Sequence, residues 1–273
     1  MILRIAGAVL TVIAFNLTAM FGLAALPPVA GLVWVLVLAA AFYVWSTRPG
    51  RHRRERLARL RVRPPNAALR WVLLSCAATI LLLLAIGSFA SLIAPDLDAA
   101  DIPEWYDMLR PYRETTIGWV ALTLLIAFAI PLVEEFSFRG HVQRLLERRY
   151  GVPVAIAASA ILFMSLHVGV PHWSILGISL TLGLAAGLAV HVFRSIWPAV
   201  LMHCAWNGSM IGAEAIASRM GTEYTAGATT NALSGLVLLA LGVLGWRRVL
   251  TAVAGDVRPA TSPHPGVTER PVA

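Results

Sequence analysis

Hydrophobic residues along this chain form long blocks that polar and charged segments interrupt. A helix needs about 20 apolar residues to cross the hydrocarbon core of a bilayer, and the blocks are of that length. The pattern therefore predicts an all-α fold, a polytopic transmembrane helical bundle of about eight spans. The predicted spans are residues 5–26, 29–46, 71–94, 117–136, 152–170, 173–193, 196–217 and 231–249.

The overall composition also indicates a membrane protein. Hydrophobic residues make up 58% of the 273 residues, charged residues make up 13%, and the mean hydropathy is +0.75. Soluble domains are nearer half apolar and a quarter charged. The formal net charge of +8 comes from arginine, since the chain has no lysine. In a membrane protein such a charge indicates topology and lipid contact, so we expect no nucleic-acid partner.

Charged residues between the spans predict the orientation of the chain. The loop 47–70 is rich in arginine, whereas the loop 95–116 is mostly acidic. Positively charged loops stay in the cytoplasm. Eight spans in the inner (cytoplasmic) membrane, with both termini cytoplasmic, agree with both loops. We therefore expect a transmembrane domain over residues 1–253 and a proline-rich, disordered tail over residues 254–273.

Segment 131–139 carries two adjacent glutamates and an arginine next to an uncharged apolar run. Ionised side chains at such a depth are costly and usually face a protein interior or a water-filled cavity. Glu135 and Arg139 are four residues apart and face the same way, which allows a structural ion pair. Glu134 points about 100° away and is left as a candidate general base. The alternative is a pair of glutamates at a helix end that reach the membrane interface.

Two later segments carry the other candidate groups. His167 alone, in the fifth predicted span, is more often a packing or interface residue than a catalytic one. His203 and Asn207 are four residues apart on one helix face. Both can donate hydrogen bonds to an oxyanion that develops on a carbonyl. The alternative for them is a polar pair that holds helices together.

Together these segments resemble the CAAX prenyl endopeptidase and bacteriocin-processing family of intramembrane proteases. That family carries Glu-Glu-x-x-x-Arg, Phe-x-x-x-His and His-x-x-x-Asn/Asp in this order on successive helices. The matching segments here are Glu134-Glu135-Phe-Ser-Phe-Arg139, Phe163-Met-Ser-Leu-His167 and His203-Cys-Ala-Trp-Asn207. The resemblance covers about residues 131–207, inside an expected catalytic core at 117–217.

The resemblance implies a helical bundle with a polar cavity that opens to the cytoplasm. It also implies hydrolysis of a peptide bond in a membrane-associated peptide or protein. In that reaction Glu134 and His167 activate water, and His203 and Asn207 stabilise the oxyanion. The competing class is a non-enzymatic membrane protein of the same fold, such as a transporter, an immunity protein or a scaffold.

A metal ion is the remaining alternative for this site. Glu134, His167 and His203 are acceptable zinc ligands, and three protein ligands plus water is the arrangement of catalytic zinc. However, they would come from three helices without a His-Glu-x-x-His nucleus, and a metal-free mechanism fits the same residues. We therefore expect no required cofactor, with Zn²⁺ as the alternative. Beyond the substrate and the lipid bilayer, the pattern indicates no partner and no particular oligomeric state.

The depth of the candidate residues sets a geometric condition. In the predicted spans His167 lies about 16 residues, or about 24 Å, from the cytoplasmic end of its helix. Glu134 lies near the cytoplasmic end of the preceding span. Either that span extends past Arg139 or segment 140–155 re-enters the membrane, and we expect the extension. Segment 140–150 fits both an interfacial helix and a solvated continuation of the span.

Reporter fusions test the predicted orientation. A fusion at Leu60 should report the cytoplasm and a fusion at Trp105 the opposite side, because arginine-rich loops are retained inside. The measurement pairs a reporter that is active only outside the membrane with one that fluoresces only inside. A cytoplasmic signal from the fusion at Trp105 would contradict the topology.

Overall fold

The computed structural model describes residues 2–47, 60–93, 109–168, 173–220 and 232–256. Within those ranges every regular element is helical, so the predicted polytopic helical bundle is confirmed. The arginines at 48–59, the acidic residues at 96–107 and the tail beyond Asp256 lie outside the described residues. The helices are α1 (Ile2–Ala25), α2 (Pro28–Thr47), α3 (Leu69–Ile93), α4 (Arg110–Arg113), α5 (Thr116–Tyr150), α6 (Val152–Ser165), α7 (Trp173–Phe193), α8 (Trp197–Met220) and α9 (Ala232–Asp256).

Several of these helices are long and apolar enough to cross a membrane, so the chain is a multi-pass membrane protein. Each predicted span coincides in position with a helix. Helix α8 carries polar residues such as Asn207 and Glu214 and is not among the stretches that qualify as spans. By length and composition, five stretches of the described helices qualify as spans, and two apolar helices are shorter. The five are Ile5–Ala25, Leu69–Ala90, Thr116–Tyr150, Ser174–Phe193 and Ala232–Ala254, and the shorter two are Pro28–Phe42 and Val152–Ser165.

Helix α6 is shorter than the apolar run predicted. It ends at Ser165, five residues early, so His167 lies in the turn after the helix and not within it. The N–H of His167 bonds the carbonyl of Met164 three residues back at 2.9 Å, a tightening typical of helix ends. Gly169 and Pro171 follow in the sequence, and both residue types disfavour a helix.

Helix α5 is longer than the apolar run predicted. It is a continuous helix of 35 residues that passes Arg139 and ends at Tyr150, as the favoured alternative requires. Segment 140–150 is therefore its continuation. Gly151 ends it with a φ of +80°, a backbone conformation that glycine adopts without strain, and α6 begins at the next residue.

The sharp turn at Gly151 brings the candidate residues to one depth. Glu134 precedes this glycine by 17 residues and His167 follows it by 16. Because α5 and α6 run in opposite directions from the turn, equal distances along them end at similar heights. Arg139 and Phe163 are each 12 residues from the turn, and the guanidinium carbon lies 4.6 Å from the ring centroid.

Aromatic side chains connect the first two helices to the centre of the bundle. Phe15 of α1, Phe42 of α2, Phe136 of α5 and Trp197 of α8 form a row of edge-on contacts, with successive centroids 6.1 to 6.2 Å apart. Helix α1 packs directly on the part of α5 that carries the glutamates. Helix α9 packs along α3 on another part of the bundle.

Described residues of the arginine-rich loop hold one end of the bundle together. Arg61 is buried and pairs with Glu147 of α5 at 2.8 Å, and its carbonyl accepts the N–H of Ile196 at 3.1 Å. The Nε–H of Arg63 donates to the carbonyl of Arg194 at 2.8 Å. Arg61 and Arg63 therefore contact α5 and the segment between α7 and α8 at the same end of the bundle.

Candidate active site

Helix α5 departs from α-helical geometry on both sides of its glutamates. π-Helical turns occupy Leu125–Ala129 and Phe136–Gln143, and Ile130–Glu135 between them is α-helical. Such turns change the direction of the side chains that follow and are frequent at functional sites. Both glutamates therefore lie in a short regular stretch between two irregular ones.

Pro131 accounts for the contact of Asn207 with the first π-helical turn. The N–H of Ile130 donates to the carbonyl of Leu125, five residues back. It is therefore not available to the carbonyl of Ile126. The next residue along is Pro131, which has no N–H. The Nδ2–H of Asn207 supplies the missing donor at 2.9 Å from the Ile126 carbonyl oxygen. One of the two amide N–H groups of Asn207 is therefore used to satisfy the backbone of α5.

Glu135 binds two positively polarised groups with one oxygen. Its Oε1 accepts a hydrogen bond from Nη1 of Arg139 at 3.1 Å and lies 2.9 Å from Nδ1 of His203. The side chains of Glu135 and Arg139 are fully buried. An ionised carboxylate only accepts hydrogen bonds, so Nδ1 of His203 carries a proton. The predicted contact between Glu135 and Arg139 is present, and the contact with His203 is an addition to it.

Arg139 is enclosed by aromatic and small residues. Its guanidinium lies over the ring of Phe163, and the edge contact of Phe163 with His203 has a centroid distance of 5.6 Å. Gly183 of α7 allows the enclosure, since an added Cβ would lie 2.9 Å from Cβ of Ala160 and 3.3 Å from Nη2 of Arg139. Phe163, the first residue of its motif, is thus the surface on which the arginine and the histidine pack.

Glu134 presents its two oxygens to different partners. Its Oε2 lies 3.7 Å from Nε2 of His203, beyond a direct hydrogen bond but within reach through one water. Its Oε1 lies 3.4 Å from Nδ2 of Asn16 in helix α1. Glu134 is only 4% exposed, so both oxygens are almost withdrawn from solvent. His203 therefore lies between the glutamates, with one ring nitrogen towards each.

His167 lies beside the same aromatic ring as His203. Its ring centroid is 5.2 Å from that of Phe163, and its Nδ1 lies 3.2 Å from the carbonyl oxygen of Phe163. A carbonyl only accepts, so when the ring of His167 is neutral its Nδ1 carries the proton and its Nε2 holds a lone pair. His167 is partly exposed, unlike the buried His203.

The buried cluster of Glu134, Glu135, Arg139 and His203 contains two carboxylates but only one permanent positive charge, that of Arg139. With both glutamates ionised and His203 neutral, the cluster carries one negative charge. Unbalanced charge in a low-dielectric interior is strongly unfavourable. One additional proton, on His203 or on Glu134, makes the cluster neutral. A neutral cluster therefore contains one further proton, on one of these two residues.

The described side chains do not form a metal centre. Among them, no three His, Cys, Asp or Glu residues are arranged so as to hold a metal ion. The Nδ1 atoms of His203 and His167 are used by Glu135 and by the Phe163 carbonyl, respectively, which leaves the Nε2 atoms of both rings available to a ligand. Because the described side chains form no group that would hold a metal, we derive no catalytic step through one.

Sequence reasoning missed two contacts of this cluster. Asn16 comes from the first helix, far from the motifs, and its signal was an amide on an otherwise apolar helix face. The contact of Glu135 with His203 joins two motifs on different helices, and spacing within one helix cannot show it. The structure brings Glu134, Glu135 and His203 together and places Asn207 one turn further along α8, against α5.

Comparison with known proteins supports the reading of this site. Residues 116–209 match the family model described as type II CAAX prenyl endopeptidase Rce1-like, which spans α5 to the middle of α8. No curated protein and no solved structure matches the chain. The match includes all three motifs, so the resemblance drawn from them is confirmed. The chain thus contains a segment that matches the type II CAAX prenyl endopeptidase Rce1-like family, and at the level of that family the match supports a CAAX-type intramembrane protease.

Proposed function

We propose that this protein is an endopeptidase that cuts a membrane-associated peptide or protein with water activated by Glu134 and His167. The observation that supports this best is the difference between the two glutamates. Glu135 is held by Arg139 and His203, whereas Glu134 keeps an oxygen 3.7 Å from Nε2 of His203. A buried carboxylate with one oxygen towards an exchangeable proton is suited to general base catalysis.

The proposed hydrolysis conserves protons at the site. Water loses one proton to Oε2 of Glu134 while its oxygen bonds to the carbonyl carbon of the substrate. The lone pair on Nε2 of His167 accepts the other hydrogen of that water and orients it. When the tetrahedral intermediate collapses, the C–N bond breaks and Glu134 returns its proton to the leaving nitrogen.

His203 and Asn207 would stabilise the oxyanion. If His203 carries the additional proton of the cluster, its Nε2–H can donate to the carbonyl oxygen as negative charge develops there. Asn207 would contribute the amide N–H that Ile126 does not use. The negative charge on the oxyanion replaces the charge that Glu134 loses on protonation, so the site stays neutral throughout the reaction.

The distribution of buried charge favours hydrolysis over transport. A transporter needs polar groups along a path through the bilayer. The buried charged side chains of the described helices instead gather around Glu134, and a separate buried pair joins Arg61 to Glu147 at one end of the bundle.

We propose further that the protein resides in the inner membrane with both termini cytoplasmic, and that it requires no metal.

Replacing each glutamate by glutamine should separate the proposed roles. Glu134→Gln should lower peptide hydrolysis by about 10²–10⁴-fold and leave folding intact, because it removes the base and keeps the volume. Glu135→Gln should reduce stability by about 3–5 kcal/mol, because it removes the negative charge that balances Arg139 and His203. The measurements are carboxyl-terminal proteomics of cells that make each variant and thermal unfolding of the purified proteins.

A matched control is Glu214→Gln, a change of the same size on α8. Glu214 lies 11 residues beyond His203 and 3.8 Å from Arg113. Cells with the control should produce the same carboxyl termini as cells with the unchanged protein. If Glu134→Gln produces those termini while Glu135→Gln is folded and inactive, the two roles are exchanged.

Substitution of Asn207 should affect both catalysis and stability. Asn207→Ala should lower turnover by about 10²–10³-fold, as the loss of one oxyanion donor does. It should also cost about 1–3 kcal/mol of stability, because the carbonyl of Ile126 loses its donor. Asn207→Asp should retain partial activity if its carboxyl group is protonated and can still donate.

Single-turnover cleavage of a peptide identified by the proteomic comparison measures the effect on catalysis. The substrate affinity of Asn207→Ala should be nearly unchanged, since oxyanion donors act mainly in the transition state. A variant that cleaves at the normal rate but binds the peptide weakly would show that Asn207 positions the substrate.

A further inference from the structure

Helix α1 lies outside the matched segment 116–209, yet it reaches the centre of the site. Its buried face consists of apolar side chains at helical spacing, and Asn16 lies among them. The amide of Asn16 is thus a polar group on a helix face that otherwise packs through apolar side chains. The buried residues of this face are Val12, Phe15, Ala19 and Leu23.

The amide of Asn16 is only half used by the described residues. Its Nδ2 lies 3.4 Å from Oε1 of Glu134, while its buried Oδ1 has no hydrogen-bond partner among them. A buried polar atom without a partner is unfavourable and calls for an explanation. The opposite orientation of the amide would place Oδ1 against the carboxylate of Glu134 and repel it. Contact with Glu134 therefore explains the orientation in which Oδ1 is left unpaired.

We propose that Asn16 is a positioning residue that determines which oxygen of Glu134 takes the proton. This inference rests on the proposed function of Glu134 as a general base. A hydrogen bond from Asn16 occupies Oε1, and it persists after proton transfer because the carbonyl oxygen of a neutral carboxyl group still accepts. The proton from water is then directed to Oε2, the oxygen that faces His203. The N-terminal helix thereby completes the site of the matched segment.

Asn16→Leu keeps a similar volume and removes the hydrogen bond. Turnover of a cleavable peptide should fall by about 10–100-fold with KM nearly unchanged, because Glu134 loses a bond to its charged form and not a contact with substrate. Asn16→Ala also removes the hydrogen bond and should lower turnover similarly. It is the second variant for the case in which leucine disturbs the packing of α1. Thr11→Val is the control on the same helix, since the hydroxyl of Thr11 bonds the carbonyl of Gly7 at 2.8 Å, and it should leave turnover unchanged.

Infrared spectroscopy tests the contact without relying on hydrolysis. The carboxyl band of Glu134 is identified as the band lost in Glu134→Gln. It should move in Asn16→Leu and stay in place in Thr11→Val. The inference is overturned if the Glu134 band does not move in Asn16→Leu, or if Asn16→Leu has normal turnover while Glu134→Gln is inactive. Either result leaves the proposed function standing. If Glu134→Gln hydrolyses normally, the proposed function fails, and a band that moves in Asn16→Leu would still uphold the contact.

Discussion

Charge balance inside an apolar bundle is the constraint on which this structure depends. Glu134, Glu135 and Arg139 are withdrawn from solvent, where unbalanced charges are strongly unfavourable. Arg139 and the Nδ1–H of His203 both bind one oxygen of Glu135. The second glutamate can then be ionised only while a further proton is held nearby. This arrangement supports the proposed transfer of one proton at constant net charge.

The backbone of α5 and the turn after it hold these groups in place. Pro131 removes one N–H from the helix, and Asn207 satisfies the carbonyl of Ile126 that is left without a donor. Gly151 turns the chain so that α6 returns beside α5 and brings Phe163 against Arg139. Two backbone features thus position the site, namely the N–H that Pro131 lacks and the positive φ of Gly151. The residue type fixes both.

Contacts within one helix could be predicted from the sequence, whereas contacts between helices could not. A separation of four residues predicts the meeting of Glu135 with Arg139, because such side chains share a helix face. The contact of Glu135 with His203 depends on how two helices pack. The end of α6 before His167 was also missed, because hydropathy continues beyond the point where the helix stops.

The contact through which Glu135 holds His203 requires a protonated Nδ1 on the histidine. Nitrogen NMR of protein labelled with ¹⁵N in its histidine rings measures this directly, with His203 assigned from the signals lost in a His203→Gln protein. Nδ1 of His203 should carry a proton, and its signal should shift in Glu135→Gln. A ring whose Nδ1 is unprotonated in the unchanged protein would contradict this arrangement of charges.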